Sequence, residues 1–320
     1  MFNWCFIGAG KLAGIVASQI QATGRHKVVS CYTRNFEKCQ QFCDEFGAKA
    51  YKTAEEAIND PDVDGVYVVT THNAHYRYVK LALELGKPVF NEKAFTVKAS
   101  ETDELINLSK EKGLYLAEAM WTWFCPAANK VYDWVSAGEI GEVKKARFSF
   151  RTNGINYAPR VGDAKRAGGA LLDITVYPIT YAYRLWGYPE KIESIGIIEN
   201  GIDTSEEIIF TYKDFKVQIS VSLIDDDGEQ MTITGTKGTI SAPYYHFKNF
   251  VTLSKEGENV NFSGPGPEDN SYVDEFDTVA MEIKNGLKES EVVPLKATSD
   301  VMHIMDVIGE QIGLVYDDLE

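Results

Sequence analysis

Short apolar runs alternate with helical stretches along the first part of the chain. Apolar residues bounded by turn signals predict five strands, at 2–7, 28–32, 65–70, 88–91 and 114–118. Helical periodicity is clear between them, at 14–20, 73–85 and 99–112. Strands that alternate with helices of this length predict an α/β fold with a parallel, doubly wound sheet.

The pattern changes after residue 143, where strand-like runs dominate from 191 to 262. Apolar and polar residues alternate strictly over 215–223, which predicts an antiparallel strand with one buried and one polar face. Residues 120–141 are predicted as one connecting helix, and two more helices follow at 272–286 and 299–315. We therefore predict two domains, 1–121 and 122–320, the second an α+β domain whose open, mainly antiparallel sheet carries helices on one face.

A glycine-rich turn joins the first predicted strand to the first helix. It has the G-x-G-x-x-A form of the Rossmann dinucleotide fingerprint, in which the helix N-terminus faces a pyrophosphate. An ordinary glycine-rich turn is the alternative. The cofactor-binding residues predicted here are Gly8, Ala9, Gly10, Lys11 and Leu12.

The residues after the second strand bear on the choice of nucleotide. The acidic residue that would hold the ribose of NAD is missing, and Thr33-Arg34 stands in its place. A guanidinium can bind a 2′-phosphate bidentately, so we predict NADP (NADPH) as cofactor and NAD as the less favoured one. The alternative is that Arg34 is a solvated residue at a helix start.

Polar residues follow two further strands at the edge where ligands bind in such sheets. Lys93 ends one strand and is expected to point into the nucleotide crevice; otherwise it is a surface lysine. His75 is either a site residue or a polar group at a helix start. The residues predicted to line the cofactor are Thr71, His72, Asn73, His75, Glu92 and Lys93.

A second constellation follows a pair of glycines, Gly168 and Gly169. Asp173 and Tyr177 are four residues apart in a predicted helix and therefore share a face. A carboxylate and a phenol side by side could bind a polyol and pass a proton. The alternative is that Tyr177 packs in the core and Asp173 caps the helix.

These motifs together resemble the Gfo/Idh/MocA oxidoreductase family over essentially the whole chain. The matching pieces are Gly8-Ala9-Gly10, His75, 86–89 leading into Glu92-Lys93, 168–173 and 306–311. Within that family, 118–122 and Tyr177 resemble the branch of dimeric dihydrodiol dehydrogenases and NADP-dependent xylose dehydrogenases.

The resemblance implies a division of roles among these residues. Tyr177 would be the proton donor or acceptor, while Lys93 and Asp173 would orient the substrate and tune the phenol. Trp121 is predicted at the cofactor and the substrate, and Arg160 at the substrate; Tyr272 is a weaker candidate there.

Two positions differ from the family pattern. Ala94 stands where the family usually has proline; because a cis bond before alanine costs about 3 kcal/mol, we expect Lys93 to be presented somewhat differently. Trp123 replaces an arginine of the branch, at a position that is a candidate contact to cofactor or substrate.

Charge, cysteine content and apolar runs limit the partners, metal sites and cellular location that we expect. The 47 acidic and 32 basic residues give a net charge of −15, which argues against nucleic acid or an anionic membrane as partner. The five cysteines form no zinc motif and are predicted to be reduced, small buried hydrophobes; no metal is expected. A strand that starts at Phe2 leaves no room for a signal peptide, and no apolar run would span a bilayer, so a cytoplasmic location is predicted.

The resulting hypothesis is an NADP-dependent oxidoreductase acting on a sugar, polyol or vicinal diol/hydroxycarbonyl. Two alternatives are a reductase of a sugar-derived, anhydrofructose-like dicarbonyl and a non-catalytic NADP-sensing regulatory protein. The resemblance also implies a homodimer through the C-terminal sheet, whose predicted polar face contains Lys216, Gln218, Ser220 and Ser222; a solvated face is the alternative.

Overall fold

The computed structural model describes residues 1–246, 249–264, 271–316 and 319, with the backbone alone for Ser271. The chain forms two compact units: Met1–Trp121 with Asn270–Ser299, and Thr122–Asp269 with Asp300–Glu320. The boundary within the chain's last helix therefore falls between Ser299 and Asp300. In the described part of the chain, no helix combines the length and the apolar character that crossing a bilayer requires.

The strands belong to two sheets. In chain order they are β1 (Phe2–Ile7), β2 (His26–Tyr32), β3 (Lys49–Ala50), β4 (Gly65–Val68), β5 (Val89–Glu92), β6 (Leu116–Ala119), β7 (Val143–Arg151), β8 (Lys191–Glu199), β9 (Ile202–Thr211), β10 (Lys216–Ser222), β11 (Gly228–Gly235), β12 (Thr239–Pro243), β13 (Phe250–Lys255) and β14 (Glu258–Ser263).

The helices connect and cover these strands. They are α1 (Lys11–Ala22), α2 (Phe36–Phe46), α3 (Ala54–Ile58), α4 (His72–Glu84), α5 (Ala99–Lys112), α6 (Pro126–Ser136), α7 (Gly154–Tyr157), α8 (Val176–Trp186), α9 (Ser271–Lys284) and α10 (Leu295–Ile312). Short 3-10 turns lie at Trp121–Trp123, Pro159–Gly162 and Ala164–Arg166, and a π-helical turn at Leu171–Thr175 precedes α8.

The sheet of the first unit is parallel and has the order β3-β2-β1-β4-β5-β6. This is the doubly wound order of dinucleotide-binding folds, which confirms the predicted Rossmann sheet. Local signals start the covering helices: the Asn35 side chain accepts a hydrogen bond from the Lys38 N–H at the start of α2, and Thr53 and Glu56 form a capping box on α3. The carboxyl ends of β1, β4, β5 and β6 therefore meet at one edge.

Helix α9 packs into the first unit, whereas the sequence placed it in a continuous second domain 122–320. The Phe276 ring lies 5.0 Å from Trp4, 4.9 Å from Tyr67 and 5.2 Å from Phe90, all edge to face. Its partners are side chains of β1, β4 and β5. The predicted helix was thus placed with the wrong sheet, because its own apolar pattern does not identify the surface that it covers.

The sheet of the second unit has eight strands in the order β14-β13-β12-β11-β7-β10-β9-β8. It is mainly antiparallel, as predicted, but β10 pairs in parallel with β7 and antiparallel with β9. The prediction of an antiparallel strand at 215–223 was therefore wrong for the pairing with β7, which is parallel. Alternating residues define the two faces of a strand but not the direction of its neighbours.

The stretch 120–141 is not one helix. A 3-10 turn covers Trp121–Trp123, and α6 begins only at Pro126. Proline fits the first turn of a helix but not its interior, where it removes a hydrogen bond and clashes with the preceding turn. Pro126 therefore separates the two helical pieces.

Three of the cysteines form a buried cluster in the first unit. The Sγ atoms of Cys31, Cys39 and Cys43 all lie within 4.8 Å of one another, and the Cys39 thiol donates to the Cys31 carbonyl at 3.2 Å. Strand β2 supplies one thiol, and one face of α2 supplies two. Their exposure is at most 1%, and they pack in the hydrophobic core, as small apolar side chains do.

Candidate functional site

The glycine-rich turn lies between β1 and α1, at the ligand-binding edge of the first sheet. Gly8 has a φ of 119°, and a Cβ there would lie 2.4 Å from the Val69 carbonyl oxygen, so only glycine fits. A Cβ on Gly10 would meet nothing within 4 Å, and Ala13 is buried in the core. Helix α1 has no side-chain cap and no acidic residue in its first turn. Its N–H groups are thus available to an anion, and the turn fits a dinucleotide pyrophosphate.

Thr33 and Arg34 follow β2 directly. Thr33 is half-buried and Arg34 is exposed, one residue before the Asn35 cap of α2. No carboxylate occurs between Cys31 and Asn35. The end of β2 therefore presents a hydroxyl and a guanidinium where an acidic residue would favour the ribose of NAD.

The residues after β4 form the start of α4. Thr71 caps this helix by position, and its hydroxyl donates to the Asn73 side chain at 2.7 Å. His72 and His75 are buried. The His75 ring nitrogens lie 2.9 Å from the Ala94 carbonyl and 3.3 Å from the Thr70 carbonyl, and burial lowers the pKa of His75 to about 4. A neutral His75 thus ties the loop after β5 to the start of α4.

Lys93 lies at the end of β5 and is half-buried. The peptide bond between Lys93 and Ala94 is cis, so alanine takes here the geometry that the sequence analysis associated with proline. The buried Asn91 amide donates to the Phe95 carbonyl at 2.7 Å and so closes the loop that carries Lys93. Glu92 is buried and accepts a hydrogen bond from the Tyr67 hydroxyl.

Glu118 is a buried carboxyl group near this loop that the sequence analysis used only as part of a family motif. It pairs across β5 and β6 with Asn91 and accepts a hydrogen bond from the Thr298 hydroxyl at 2.9 Å. Burial, together with the charge of Glu92, raises the pKa of Glu118 to about 7, although the Thr298 hydrogen bond and the charge of Lys93 lower it. The sequence does contain one signal for Glu118: it is an acidic residue near the carboxyl end of β6, the strand beside β5.

Two tryptophans follow β6. The Trp121 ring is buried, 6.1 Å from the Tyr272 ring in the same unit. Trp123, in the second unit, is also buried, with the Arg184 guanidinium 5.1 Å from its ring and donating to its carbonyl at 3.1 Å. The guanidinium that covers Trp123 thus comes from α8.

The π-helical turn Leu171–Thr175 carries Asp173 in the second unit, and α8 continues it with Tyr177 as its second residue. A π-helical turn is rare and is often found at functional sites. Gly169 precedes it with a φ of 115°, and a Cβ there would lie 2.0 Å from the Asp203 carboxyl, so this close approach requires glycine.

The structure brings Arg160 and Asp173 together, two residues predicted at the substrate. The Arg160 guanidinium donates to Asp173 Oδ1 at 2.9 Å, with side-chain exposures of 45% and 13%. The Arg160 guanidinium therefore lies at the surface of this unit, while the Asp173 side chain is mostly buried.

Tyr177 is 8% exposed and lies among aromatic rings. Its ring stacks 6.2 Å from Phe150 and lies 5.0 Å from His246, a residue that the sequence analysis missed. The His246 ring Nδ1 and backbone N–H both contact the buried Glu229 carboxyl. His246 follows β12 in a turn, and nothing in its sequence surroundings marks it.

Comparison with known proteins gives a family match for each of the two parts of the chain. Residues 2–120 match the model of the oxidoreductase family with an NAD-binding Rossmann fold, and 128–241 match the GFO/IDH/MocA C-terminal domain. Trans-1,2-dihydrobenzene-1,2-diol dehydrogenase of Mus musculus is 30% identical over 332 residues, 98% of each chain. The human (Homo sapiens) enzyme of that name is 29% identical over 334 residues, also 98% of each chain.

Solved structures share the fold. A levoglucosan dehydrogenase in complex with NADH and levoglucosan superposes with a TM-score of 0.86 at 16% identity, covering 98% of this chain and 97% of that one. The aldose-aldose oxidoreductase from Caulobacter crescentus gives 0.86 at 18% identity and 97% of each chain. On the strength of both domain matches and the full-length relatives, the chain belongs to the Gfo/Idh/MocA family of NAD(P)-dependent oxidoreductases.

Proposed function

We propose that this enzyme transfers a hydride between NADP and a carbon of a sugar, polyol or vicinal diol/hydroxycarbonyl. The proposal rests on one observation in the second unit. Tyr177 lies two residues beyond the π-helical turn that carries Asp173, and Asp173 is paired with Arg160. When bound, the nicotinamide supplies or accepts the hydride, and the protein supplies binding, orientation and the proton.

Tyr177 is the proposed proton donor or acceptor at the reacting oxygen. Its ring packs against Phe150 and His246, and a fixed phenol orients its hydroxyl without further ordering. Asp173, held by Arg160, is proposed to orient substrate hydroxyl groups. Lys93 is proposed as the electrostatic partner, because an ammonium close to a phenol favours the phenolate.

NADP is the proposed cofactor because Thr33 and Arg34 replace the acidic residue after β2. The remaining residues proposed to line the cofactor are those of the glycine-rich turn, the start of α4, Glu92 and Trp121. Replacing Arg34 by alanine is expected to weaken NADPH binding about tenfold and NADH binding much less, since only the former has the 2′-phosphate. Fluorescence titration with both nucleotides tests this, and tighter binding of NADH to the unchanged protein would contradict it.

Substrate class is best tested by direct assay. Purified protein is incubated with NADP⁺ and separate panels of aldoses, polyols and trans-dihydrodiols, and nicotinamide absorbance is followed. Reduction of NADP⁺ by one panel supports the proposal and identifies the class. NADPH oxidation by dicarbonyls alone would instead support the dicarbonyl reductase, and tight NADPH binding with no turnover in either direction would support the NADP-sensing alternative.

The open face of the second sheet is the proposed homodimer interface. Ile195 and Ile197 on β8 are 72% and 53% exposed, and Ile195 lines a cavity of about 340 Å³ together with Arg147, Ile209 and Gln218. Exposed apolar groups among polar ones are typical of interfaces between subunits. Sedimentation analysis checks this: the protein is expected as a dimer, Ile195→Lys as a monomer, and a monomeric unchanged protein would refute the interface.

We propose a cytoplasmic location because closely spaced cysteine thiols are reduced in this protein. Cys31, Cys39 and Cys43 are buried thiols that form no disulfide with one another, although their Sγ atoms lie within 4.8 Å. Free thiols that close together persist where the surroundings are reducing.

A further inference from the structure

Strand β9 has two buried carboxyl groups on the same face. Asp203 and Glu206 are three residues apart, so a regular strand would point them to opposite faces. The pairing with β8 is irregular here: Ile197 pairs with Ser205, whereas Ile198 pairs with Asp203, which leaves Thr204 as an extra residue. A β-bulge of this kind redirects a side chain. Asp203 and Glu206 are 0% and 1% exposed as a result.

Both carboxyl groups hold the π-helical turn of the candidate site. Asp203 Oδ2 accepts the Leu171 N–H at 2.6 Å, at the first residue of the turn. Glu206 Oε2 accepts the Thr175 hydroxyl, at its last residue. The turn that carries Asp173 is thus fixed at both ends by one pair of carboxyl groups, and Tyr177 follows two residues later.

The side chains of the two groups interact with each other, and Asp203 Oδ1 and Glu206 Oε1 are buried without a hydrogen bond of good geometry to any described residue. A hydrogen bond between two carboxyl groups requires one proton, because two carboxylates have acceptors only. Burial raises the pKa of Asp203 to about 7, and burial together with the Asp203 charge raises the pKa of Glu206 well above its usual range.

The groups that act most strongly on the two carboxyls carry no positive charge. They are backbone groups at Ala170, Leu171 and Asp203, the Thr175 hydroxyl and the two carboxyls themselves. A titratable group that interacts with both carboxyls is Tyr316, whose hydroxyl donates to the Gly168 carbonyl at 2.7 Å; the charge of Asp173 also acts on Tyr316. Tyr316 is neutral and Asp173 is paired with Arg160, so neither residue compensates a second negative charge on the pair.

We propose that Asp203 and Glu206 share one proton and that this shared proton fixes the π-helical turn carrying Asp173 and Tyr177. Asp203 and Glu206 are positioning residues, since neither is placed at the substrate. Loss of the proton at alkaline pH leaves two carboxylates side by side and loosens the turn. The expected effect on turnover rests on the proposed function. If that function holds, kcat/KM falls at alkaline pH as the Asp203–Glu206 pair loses its proton.

Glu206→Gln tests the shared proton, because the amide N–H₂ can donate permanently to Asp203 Oδ1 while the amide oxygen still accepts from Thr175. Glu199→Gln, at an exposed position on β8, is the matched control. The infrared band of protonated carboxyl groups at neutral pH is expected to be equal in the unchanged protein and in the control. In Glu206→Gln the band should lose the contribution of one carboxyl, while that of Glu118 remains.

Stability against pH gives a second readout that does not depend on activity. The folded protein keeps a proton that the unfolded carboxyls release above their ordinary pKa, so the free energy of unfolding decreases as pH rises towards the folded pKa. Glu206→Gln is expected to flatten this decrease, and Glu199→Gln to leave it unchanged. A carboxyl band and a pH slope in Glu206→Gln equal to those of the unchanged protein would overturn the proposal.

Amide hydrogen exchange over residues 171–175 measures whether the Asp203–Glu206 pair holds the π-helical turn in place. Glu206→Gln is expected to keep the exchange of the unchanged protein, whereas Glu206→Ala should accelerate it at least about fivefold. Equal exchange in a folded Glu206→Ala protein would contradict the role of the pair. An inactive protein that shows the band, the slope and the exchange effect would refute the proposed function and leave this inference intact.

Discussion

Gly8 shows how one residue can constrain a whole site. Its φ is 119°, and a Cβ at this position would lie 2.4 Å from the Val69 carbonyl oxygen, so there is room for a hydrogen atom alone. The fingerprint in the sequence already predicted this, because the backbone conformation of the turn requires glycine at that position. Neither His246 nor Glu118 is marked in that way, since their roles depend on residues that the fold brings from elsewhere, such as Tyr177 and Thr298.

Gly8→Ala is expected to destabilise the first unit by about 1–3 kcal/mol, through strain at a positive φ and displacement of the chain at Val69. NADPH binding should weaken at the same time, because the turn moves. Gly14→Ala is the control, since a Cβ there meets nothing within 4 Å and alanine favours a helix. Chemical denaturation and nucleotide titration measure both effects; equal stability of the two variants would contradict the explanation.

Tyr177→Phe keeps the ring packed against Phe150 and His246 and removes only the hydroxyl. We expect kcat to fall by at least about 100-fold, the usual contribution of a general acid or base, with NADPH affinity unchanged. Tyr188→Phe, at a tyrosine that is 46% exposed, should leave both quantities unchanged. Turnover of Tyr177→Phe equal to that of the control would remove Tyr177 from the mechanism.

At the scale of elements, the local pattern predicted most helices and strands but not every partner. Helix α9 was predicted within a few residues of its true bounds, yet it was placed with the wrong sheet. Strand β10 likewise has an exposed polar face at Lys216 and Gln218, but the predicted face was wrong at Ser220 and Ser222, which are buried. One neighbour of this strand is unexpectedly parallel. Periodicity describes one element by itself, and the sheet or helix that it meets is decided by packing across long stretches of chain.

Phe276→Ala tests the placement of α9. The ring is fully buried against Trp4, Tyr67 and Phe90, so its removal is expected to destabilise the first unit by about 3–5 kcal/mol. Met281→Ala in the same helix is 57% exposed and should change stability by less than about 0.5 kcal/mol. Urea denaturation followed by tryptophan fluorescence compares the two, and similar losses would mean that α9 does not pack as described.

For the molecule as a whole, buried ionisable groups act on stability in opposite directions. Those whose folded pKa is raised, Glu118 and the Asp203–Glu206 pair, lower stability as pH rises towards neutrality. His75 acts in the other direction, because burial lowers its pKa to about 4 from the ordinary 6.5. Because the two pH ranges overlap, the gain in stability from His75 partly offsets the loss from the carboxyl groups as pH rises from about 4 to 6.5.

The contribution of His75 can be separated from the others by substitution. Between about pH 4 and 6.5 the unfolded chain binds a proton at this residue that the folded protein does not, so stability rises with pH by up to about 3 kcal/mol across that range. His75→Gln does not titrate and keeps one donor for the Ala94 or Thr70 carbonyl. We expect it to be less stable at neutral pH but to lose this part of the acid-side slope. His303→Gln, at an exposed histidine, should keep the slope, and the same slope in both variants would show that His75 is already charged in the folded protein.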